Sequence, residues 1–547
     1  MRNIRNCTRN WIRQLRRALA LALVFCTLAP LALAETGIAD FSNGAQGYDP
    51  YAAYGGYASN FNFNADLQVG YVALPGASMN PFYCTDRDLV SLNQMVYESV
   101  IELDGNFEPK PLLADNWKTE GKTWTFQLRS GVVFHNGAPL TATDVVISYQ
   151  NFLNSGKQNP YYGRLALIES MTALDDTTLE VKAKYSGYMT LYAMTFPVVQ
   201  YGTVNDDLPR GTGPFWYTDY IPDVGIRFEM NPLWWKKDAQ LSSVVAICYG
   251  DSGDAIEALQ TNQIDVLCSQ SSKAALSKKL SDLTHMDYLT NIYELLVPNL
   301  NSNSVMSDLR MRQAMMYAID HAAIASNAYL GMAIQCEVPV NPSSWLYESQ
   351  SAIFYYSPER ALQLILDCGW KDLTGDGMLN RLNGVVLEDL TIRIITYNED
   401  TSAVRENAAN LIASYLAKVG VKTKIRVLDK EDILKEIKEG NYDLALVGLN
   451  LSDVPNLTEL LNSKGRANLN NHRNIDLDNL VTATGTTTTP EGMKSVFSEI
   501  QLFVVENLPI MGLVFRTGTV LSSRSLAGLS GISAGNTLNG IEFMQKE

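Results

Sequence analysis

The hydrophobic positions along most of the chain alternate between helical and strand-like spacing. Residues 67–74 (LQVGYVAL) form a short apolar run that is typical of a strand. Residues 141–153 (TATDVVISYQNFL) place apolar side chains at i, i+3 and i+4 behind Thr143 and Asp144, which suit the first turn of a helix. This alternation continues along the chain and predicts an α/β or α+β protein with mixed sheets.

Two later helices are marked by the residues at their ends. Residues 357–370 predict a helix that Ser357 opens, with Pro358 in its first turn. Residues 404–420 predict an amphipathic helix that ends at Gly420 and leads directly into a strand, VKTKIRVL. Both segments therefore have the start and stop signals of helices in globular proteins.

Three longer segments predict helices or strands from the spacing of their apolar residues alone. Residues 91–103 (SLNQMVYESVIEL) carry apolar residues at helical spacing. Residues 122–134 (KTWTFQLRSGVVF) alternate like a pair of strands with a turn at Ser130-Gly131. Residues 308–330 (DLRMRQAMMYAIDHAAIASNAYL) are interpreted as one long helix.

The N-terminus has the pattern of a secretory signal peptide. Six arginines lie among the first 17 residues, and an apolar run over residues 18–34 ends in Ala32-Leu33-Ala34. A basic region, an apolar region and an A-x-A end predict export, with cleavage after Ala34. The alternative is a retained membrane anchor, but the run is short and contains Pro30. Residues 35–64 are rich in Gly, Ala, Tyr, Asn and Ser and predict a flexible linker.

Length, charge and cysteine usage narrow the class further. A chain of 547 residues is too long for one compact core and implies two or three lobes. The formal net charge of −15 becomes −21 once the six N-terminal arginines are removed, and such a chain repels nucleic acid. Five cysteines remain after cleavage, an odd number at wide spacing, which is not a disulfide framework and leaves any pairing open.

Patterns that would carry catalysis or bind a metal are incomplete. The four histidines form no metal-binding motif. The G-x-S-x-G match at residues 531–535 is followed by twelve residues without Asp or His, so it does not make a hydrolase nucleophile elbow. The loop that starts at Asp372 resembles a calcium-binding loop, but Asn383 occupies the position of the required glutamate. We therefore predict no enzyme activity, no metal site and no cofactor, and a plain turn after Asp372.

Several sequence blocks, in order, resemble one protein family. They begin with MNPFY at residues 79–83 and the long, highly specific block PKPLLADNWKTEGKTWTFQLRSGVVFHNGAPLTATDVVISY at residues 109–149. LPRGTGPFWYTDY, NPLWWKK, ALQTNQIDVL, SDLRMRQAMMYAID, GWKDLTGDG, NYDLALVG and NLPIMGLVF follow. Across about 85% of its length, from Asn80 on, the chain resembles the extracellular solute-binding proteins of peptide and nickel ABC importers.

The resemblance implies a two-lobed clamshell of α/β type with an extra accessory domain. The implied division is a signal peptide at 1–34, a linker at 35–64, lobe I at 65–103, 206–292 and 513–547, an accessory domain at 104–205, and lobe II at 293–512. It also implies a monomer that binds a short peptide between the lobes, stays outside the cytoplasmic membrane and delivers the peptide to permease subunits. A ligand that contacts both lobes only when they close stabilises the closed state.

The resemblance also places candidate ligand contacts. In peptide-binding members an aspartate after a Y/F-D strand holds the peptide's amino group, and Asp453 occupies the matching place. Leu449, Asn450 and Leu451 surround it, although the family's tryptophan and following tyrosine are absent here, where Leu449 or Asn450 and Val454 stand instead. From topology we add the loop containing Leu74, Pro75 and Ala77, and the crossing strand near Tyr293 and Leu295.

The departures around Asp453 leave other readings open. One alternative is a binding protein for a metal chelate, an oligosaccharide or an opine, and another is an exported receptor or chaperone that works without a transporter. For Asp453 itself, the alternative to an amino-group anchor is a turn aspartate before Pro455.

Overall fold

The computed structural model describes residues 61–236, 239–399 and 402–545. The predicted signal peptide, its cleavage after Ala34 and the predicted linker as far as residue 60 lie outside these residues. Where the described chain begins, Phe61 is already buried and its ring lies against Phe63 and Gly225. Packing of the folded body thus includes residues at the C-terminal end of the predicted linker.

The strands account for most of the architecture, and their bounds follow in chain order. They are β1 (Leu67–Val72), β2 (Ile101–Leu103), β3 (Pro109–Pro111), β4 (Ala114–Glu120), β5 (Thr123–Leu128), β6 (Ile168–Ala173), β7 (Thr178–Ala183), β8 (Phe215–Ile221), β9 (Gly225–Met230), β10 (Ser243–Tyr249), β11 (Val266–Ser269), β12 (Thr284–Pro298), β13 (Ala333–Gln335), β14 (Asn380–Asn383), β15 (Val386–Asp389), β16 (Thr391–Tyr397), β17 (Lys422–Leu428), β18 (Leu444–Asn450) and β19 (Met511–Ser522).

Helices cover the sheets and connect the strands. They are α1 (Arg87–Asn93), α2 (Ala142–Asn154), α3 (Tyr162–Leu165), α4 (Thr190–Ala193), α5 (Ser252–Gln260), α6 (Ala274–Ser277), α7 (Leu309–Ala318), α8 (His321–Ala323), α9 (Pro358–Asp367), α10 (Val404–Lys418), α11 (Ile433–Glu439), α12 (Thr458–Leu461), α13 (Ile475–Ala483) and α14 (Pro490–Asn507). A π-helical turn, Ile324–Ala328, follows α8 directly.

One mixed sheet of eleven strands runs through the described body. Its order is β17-β16-β18-β12-β19-β11-β1-β10-β9-β8, with β13 paired to β19 off this path. The two long central strands, β12 and β19, pair antiparallel with each other, and β12 also pairs with β18 while β19 also pairs with β11. These two strands therefore connect a group of strands on one side (β16 to β18) with a group on the other (β1 and β8 to β11).

A separate four-stranded antiparallel sheet, in the order β4-β5-β7-β6, lies between β3 and β8 in the sequence. The side chains of β5 alternate, with Trp124, Phe126 and Leu128 buried between less buried neighbours. Helix α2 packs on this sheet, and its first turn is fixed by a capping box between Thr141 and Asp144. This sheet lies within the stretch predicted as an accessory domain.

A bulge interrupts the pairing of the two long strands. Leu289 of β12 lies opposite Thr517 of β19, but the next paired position is Tyr293 opposite Phe515. Three residues of β12, from Thr290 to Ile292, therefore lie opposite a single residue of β19. Bulges bend a strand and redirect its side chains, and they are over-represented beside functional sites.

Several predicted elements are confirmed. The first strand, the helix behind Ser357, the helix that ends before Gly420 and the strand after it all form. Ser357 accepts a hydrogen bond from the backbone of Arg360, and Gly420 takes the left-handed conformation with φ of 76°. At Asp372, the carboxylate accepts hydrogen bonds from the backbone of Gly375 and Gly377, which forms the predicted turn.

Three predictions from spacing alone were wrong in extent. The helix predicted over 91–103 ends at Asn93, because the carbonyls of Met95 and Val96 accept hydrogen bonds from the segment before β8 and from its first residue. The strand pair predicted over 122–134 yields only β5, which pairs with β4 and β7. The long helix predicted over 308–330 breaks at Ile319, which is extended, and Asp320 caps a new helical segment.

The cysteines of the described residues form no disulfide bond. All five described cysteines have free thiols, and burial raises the pKa of Cys84 and of Cys268 to about 12 each. Those two thiols are therefore protonated at neutral pH and are weak nucleophiles.

No helix in the described part of the chain combines the length and the apolar character needed to cross a bilayer.

Candidate functional site

A cavity of about 560 Å³ lies where segments distant in the sequence meet. Its walls come from residues 85–112, 160–164, 290–292, 450–453 and 533–542, together with a few single residues between them. The volume falls within the range of about 300–1,000 Å³ that is usual for small-molecule sites. The bulge of β12 forms part of the wall, so the interruption in the sheet opens onto the cavity.

Asp453 lies in this wall, next to β18, the bulge of β12 and the C-terminal segment. It follows β18, whose pairing with β12 is extended by a hydrogen bond from the backbone of Leu451 to the carbonyl of Asn291. Asn291, on the bulge, donates its side-chain amide to Asp453 Oδ1 at 2.6 Å. A Cβ added at Gly535 would lie 3.2 Å from Asp453 Oδ2, so the glycine allows the C-terminal segment to approach the carboxylate.

Arg164 is distant from Asp453 in the sequence but lies next to it in the cavity wall. Its Nη2 lies 3.5 Å from Asp453 Oδ2, and the two side chains are 11% and 17% exposed. Arg164 belongs to α3, and the preceding segment is fixed by Asn159, which donates to the carbonyls of Pro81 and Phe82. The guanidinium lies over the ring of Tyr161. A partly buried pair of opposite charges therefore forms part of the cavity wall.

A second cluster of polar contacts surrounds Glu98 in another part of the cavity. Glu98 is buried and accepts hydrogen bonds from the indole nitrogens of Trp234 and Trp235 and from the hydroxyl of Thr212. Burial raises the pKa of Glu98 above its ordinary value, although these donors and Lys236 oppose the rise. This part of the cavity thus holds a buried carboxyl group that is bound by the side chains of two tryptophans.

Replacing Glu98 with glutamine is expected to remove a contribution to stability that declines as the pH rises. A carboxyl whose pKa is raised on folding adds stability at acidic pH, and this contribution is lost as the pH rises through the folded pKa. Glu98→Gln keeps a hydrogen-bond acceptor for the tryptophans and removes the buried charge. In urea unfolding at pH 4 to 8, the stability of the wild type relative to Glu98→Gln should fall as the pH rises, and a difference that stays constant with pH would contradict the assignment.

The C-terminal segment completes the wall and is fixed to α1. Thr537 donates its backbone N–H to the hydroxyl of Ser91 at 2.9 Å, and the two hydroxyl oxygens lie 2.8 Å apart. Leu538 and Ile541 are buried, which holds the segment against the core. Residues 533–542 therefore form a fixed wall of the cavity, although the sequence around them is rich in glycine and serine.

The match to a protein family identifies the class. The model for bacterial extracellular solute-binding proteins, family 5, middle part, matches residues 108–469. This chain belongs to that family. The prediction from resemblance is therefore confirmed, and with it the prediction of a binding protein instead of an enzyme.

Curated relatives of this solute-binding protein are distant but cover most of its length. The oligopeptide-binding protein AppA of Bacillus subtilis is 23% identical over 85% of this chain and 88% of its own. Heme-binding protein A of Haemophilus influenzae is 26% identical over 76% of this chain and 81% of its own. The dipeptide-binding protein of Escherichia coli is 26% identical over 64% of this chain and 70% of its own.

Solved structures share the fold of this solute-binding protein. The nickel ABC transporter protein of Bacillus halodurans superposes with a TM-score of 0.74 at 18% identity and covers 87% of this chain and 99% of its own. AppA of Bacillus subtilis, solved with a nonapeptide, gives a TM-score of 0.60 at 22% identity and covers 88% of this chain and 98% of its own. The predicted two-lobed clamshell is thereby confirmed.

Among the residues predicted to contact ligand, those around Asp453 reach the cavity in part. Asp453 and Asn450 line it. Leu449 and Leu451 are half-buried and pack against the core, so they support the wall from behind. Whether Asp453 or its neighbours bind ligand stays a prediction.

The other predicted contacts lie elsewhere. Leu74 is 77% exposed, and the backbone of Gly76 in the same loop donates to Asp223, so Leu74, Pro75 and Ala77 lie beside the β8–β9 turn and do not line the cavity. Tyr293 and Leu295 are fully buried within β12 and have no surface open to the cavity. The strand that carries them does reach the cavity, but through the bulge that precedes them.

Sequence reasoning missed Arg164, Glu98 and the wall at 533–542. Arg164 stands in a four-residue helix without any periodic signal, and its partner Asp453 is far away in the sequence. Trp234 and Trp235 lie in the family block NPLWWKK, but their link to Glu98 exists only in three dimensions. In the described residues, no three His, Cys, Asp or Glu side chains are grouped so that they could hold a metal ion.

Proposed function

We propose that this solute-binding protein captures short peptides outside the cytoplasmic membrane and delivers them to the permease of an ABC importer. The observation that carries the proposal is the place of Asp453, whose carboxylate lies in the wall of the cavity at the end of β18. An ammonium group there would find a partly buried counter-charge, which it needs when it leaves water. Export with cleavage after Ala34, a monomeric state and the domain boundaries given above belong to the same proposal.

The shape of the cavity supports a peptide of several residues. A second cavity of about 190 Å³ adjoins the first and shares Phe107 and Ser533 with it. An extended chain could pass from one to the other. Relatives named as oligopeptide- and dipeptide-binding proteins support the same ligand class. Because β12 and β19 connect the two groups of strands, a ligand between those groups would favour the closed state.

Native mass spectrometry of the mature protein tests this function. After a pool of di- to hexapeptides is added, we expect a discrete added mass that fragments as peptide. Asp453→Ala should reduce retention by about ten- to a hundredfold, since it removes a charge-assisted contact.

Asp476→Ala serves as a matched control, because Asp476 is an exposed acidic residue in the first turn of α13 and does not line the cavity. Retention should be unchanged in this variant. If the wild type retains no peptide of any length, the peptide function is rejected, and sugars and metal chelates are the next ligands to test.

A further inference from the structure

Arg164 has hydrogen-bonding capacity that the protein itself does not use. Its Nη1 donates to the hydroxyl of Thr195 at 2.5 Å, and Thr195 in turn donates to the carbonyl of Tyr192, which fixes the orientation of the guanidinium. Its Nε is buried without a hydrogen-bond partner among the described residues. A buried donor without a partner costs free energy, so the site favours any ligand group that accepts from it.

The ion pair with Asp453 does not satisfy the remaining edge of the guanidinium. Nη2 lies 3.5 Å from Asp453 Oδ2, longer than the usual 2.7–2.9 Å for a charge-assisted hydrogen bond. Nε and Nη2 lie on one edge of the guanidinium and together form the fork that carboxylates bind with two parallel hydrogen bonds. Arg164 also lines the cavity, so this edge is within reach of a bound molecule.

We propose that Arg164 binds a carboxylate of the ligand, next to the ammonium group held by Asp453. The inference rests on the proposed peptide function and names the ligand class more closely. Because Asp453 and Arg164 are adjacent, the ammonium and the carboxylate lie close together in the ligand, as they do when both belong to its first residue. The ligand class is a peptide whose first residue carries a free carboxylate.

Two chemical sources supply such a carboxylate. One is the acidic side chain of a first residue joined through its α-carboxyl group. The other is the free α-carboxylate of a glutamate joined through its side chain. In both cases four charges alternate: the ligand ammonium, Asp453, Arg164 and the ligand carboxylate. Each charge then has an opposite neighbour, which offsets the cost of removing these groups from water.

Isothermal titration calorimetry of the mature protein tests the inference with four peptides: Ala-Ala-Ala, Gln-Ala-Ala, Glu-Ala-Ala and the isomer of the last that is linked through the glutamate side chain. We expect at least one of the two glutamate peptides to bind about tenfold or more tightly than Gln-Ala-Ala. The isomer that binds more tightly identifies the source of the carboxylate.

The advantage of the glutamate peptide should disappear in Arg164→Ala and in Arg164→Gln, which retains a donor of smaller size. It should persist in Arg466→Ala, a control that removes an arginine 89% exposed on the surface. Unfolding midpoints of all variants show whether the fold is kept.

Equal affinity of the wild type for all four peptides would overturn the carboxylate site and leave the peptide function standing. An advantage that persists in Arg164→Ala would also overturn the site. If none of the four peptides binds, the carboxylate site is overturned, and the di- to hexapeptide pool in native mass spectrometry decides separately whether the peptide function stands.

Discussion

Replacing Glu294 with alanine is expected to lower the free energy of unfolding by about 3–5 kcal/mol, the usual cost of removing one partner from a buried ion pair. Glu294 lies in β12 and is fully buried. It binds Arg405 through both carboxylate oxygens, at 2.9 and 3.0 Å, and Arg516 of β19 at 2.6 Å. Without it, two buried guanidinium groups would share the single carboxylate of Glu399.

The position of this cluster explains why the effect should be large. Glu399 contacts Arg405 at 2.9 Å and Arg516 at 3.0 Å, so two acids and two bases alternate around the junction of the long strands. Gly448 of β18 leaves the space for Arg405, because a Cβ there would overlap the guanidinium. The cluster thus joins β12, β18 and β19 to the start of α10.

Urea unfolding, followed by tryptophan fluorescence, measures the loss. The control is Glu388→Ala, which removes a glutamate whose side chain is 37% exposed and lies 3.4 Å from Arg381, and it should cost less than about 1 kcal/mol. The double variant Glu294→Leu with Arg405→Met should recover part of the loss, since an apolar pair leaves no unpaired charge. A loss below about 1 kcal/mol for Glu294→Ala would show that the cluster is solvated in solution.

The pH dependence of the same cluster has a definite sign. Burial alone would raise the pKa of Glu399, but the guanidinium groups of Arg516 and Arg405 hold it below its ordinary value. A carboxyl with a lowered pKa adds stability above its unfolded pKa, about 4.3 for glutamate, and this stability is lost as the pH falls through the folded pKa. Glu98 acts in the opposite sense, because burial raises its pKa.

Sequence reasoning predicted the class of fold because that class depends on local signals and on long motif blocks. Helix starts such as Ser357 and stops such as Gly420 are encoded within a few residues, and both are confirmed. The helix over 308–330 was predicted too long because its apolar spacing continues through the break. What breaks it is the extended backbone at Ile319 and the cap at Asp320, which periodicity does not show.

The cavity was less predictable because its walls depend on contacts between distant segments. Asp453 could be placed by its position after a strand, but its partner Asn291 is 162 residues away and reaches it only because β12 bulges. Tyr293 and Leu295 illustrate the same limit. They lie on the predicted crossing strand, yet the sequence gives no sign of the bulge that turns the three preceding residues toward the cavity.

The second large effect is expected at Gly512, where alanine should cost about 3 kcal/mol, the upper end of the usual penalty for overpacking a core. Gly512 lies in β19 opposite Leu295, next to an irregularity in the pairing. A Cβ at this position would overlap the hydroxyl of Tyr293 and lie 2.5 Å from the carbonyl oxygen of Glu337. Of these two obstacles the side chain can be changed, whereas the backbone carbonyl cannot.

A double-mutant cycle separates the two obstacles, with urea unfolding as the measurement. Tyr293→Phe alone should be neutral or slightly stabilising, because it removes a buried hydroxyl that has no hydrogen-bond partner in the described structure. Tyr293→Phe combined with Gly512→Ala should then recover about 1 kcal/mol relative to the sum of the single changes. Gly250→Ala, at a position with no atom within 4 Å of the added Cβ, should have little effect.

Strict additivity in this cycle would mean that Tyr293 moves aside freely, and that the carbonyl of Glu337 alone causes the loss. Recovery in the double variant would instead show that the Tyr293 ring is held in place by Phe515, whose centroid is 4.9 Å away. In that case Tyr293 acts on the site through packing. It fixes the two long strands beside the bulge, and the bulge in turn directs Asn291 toward Asp453.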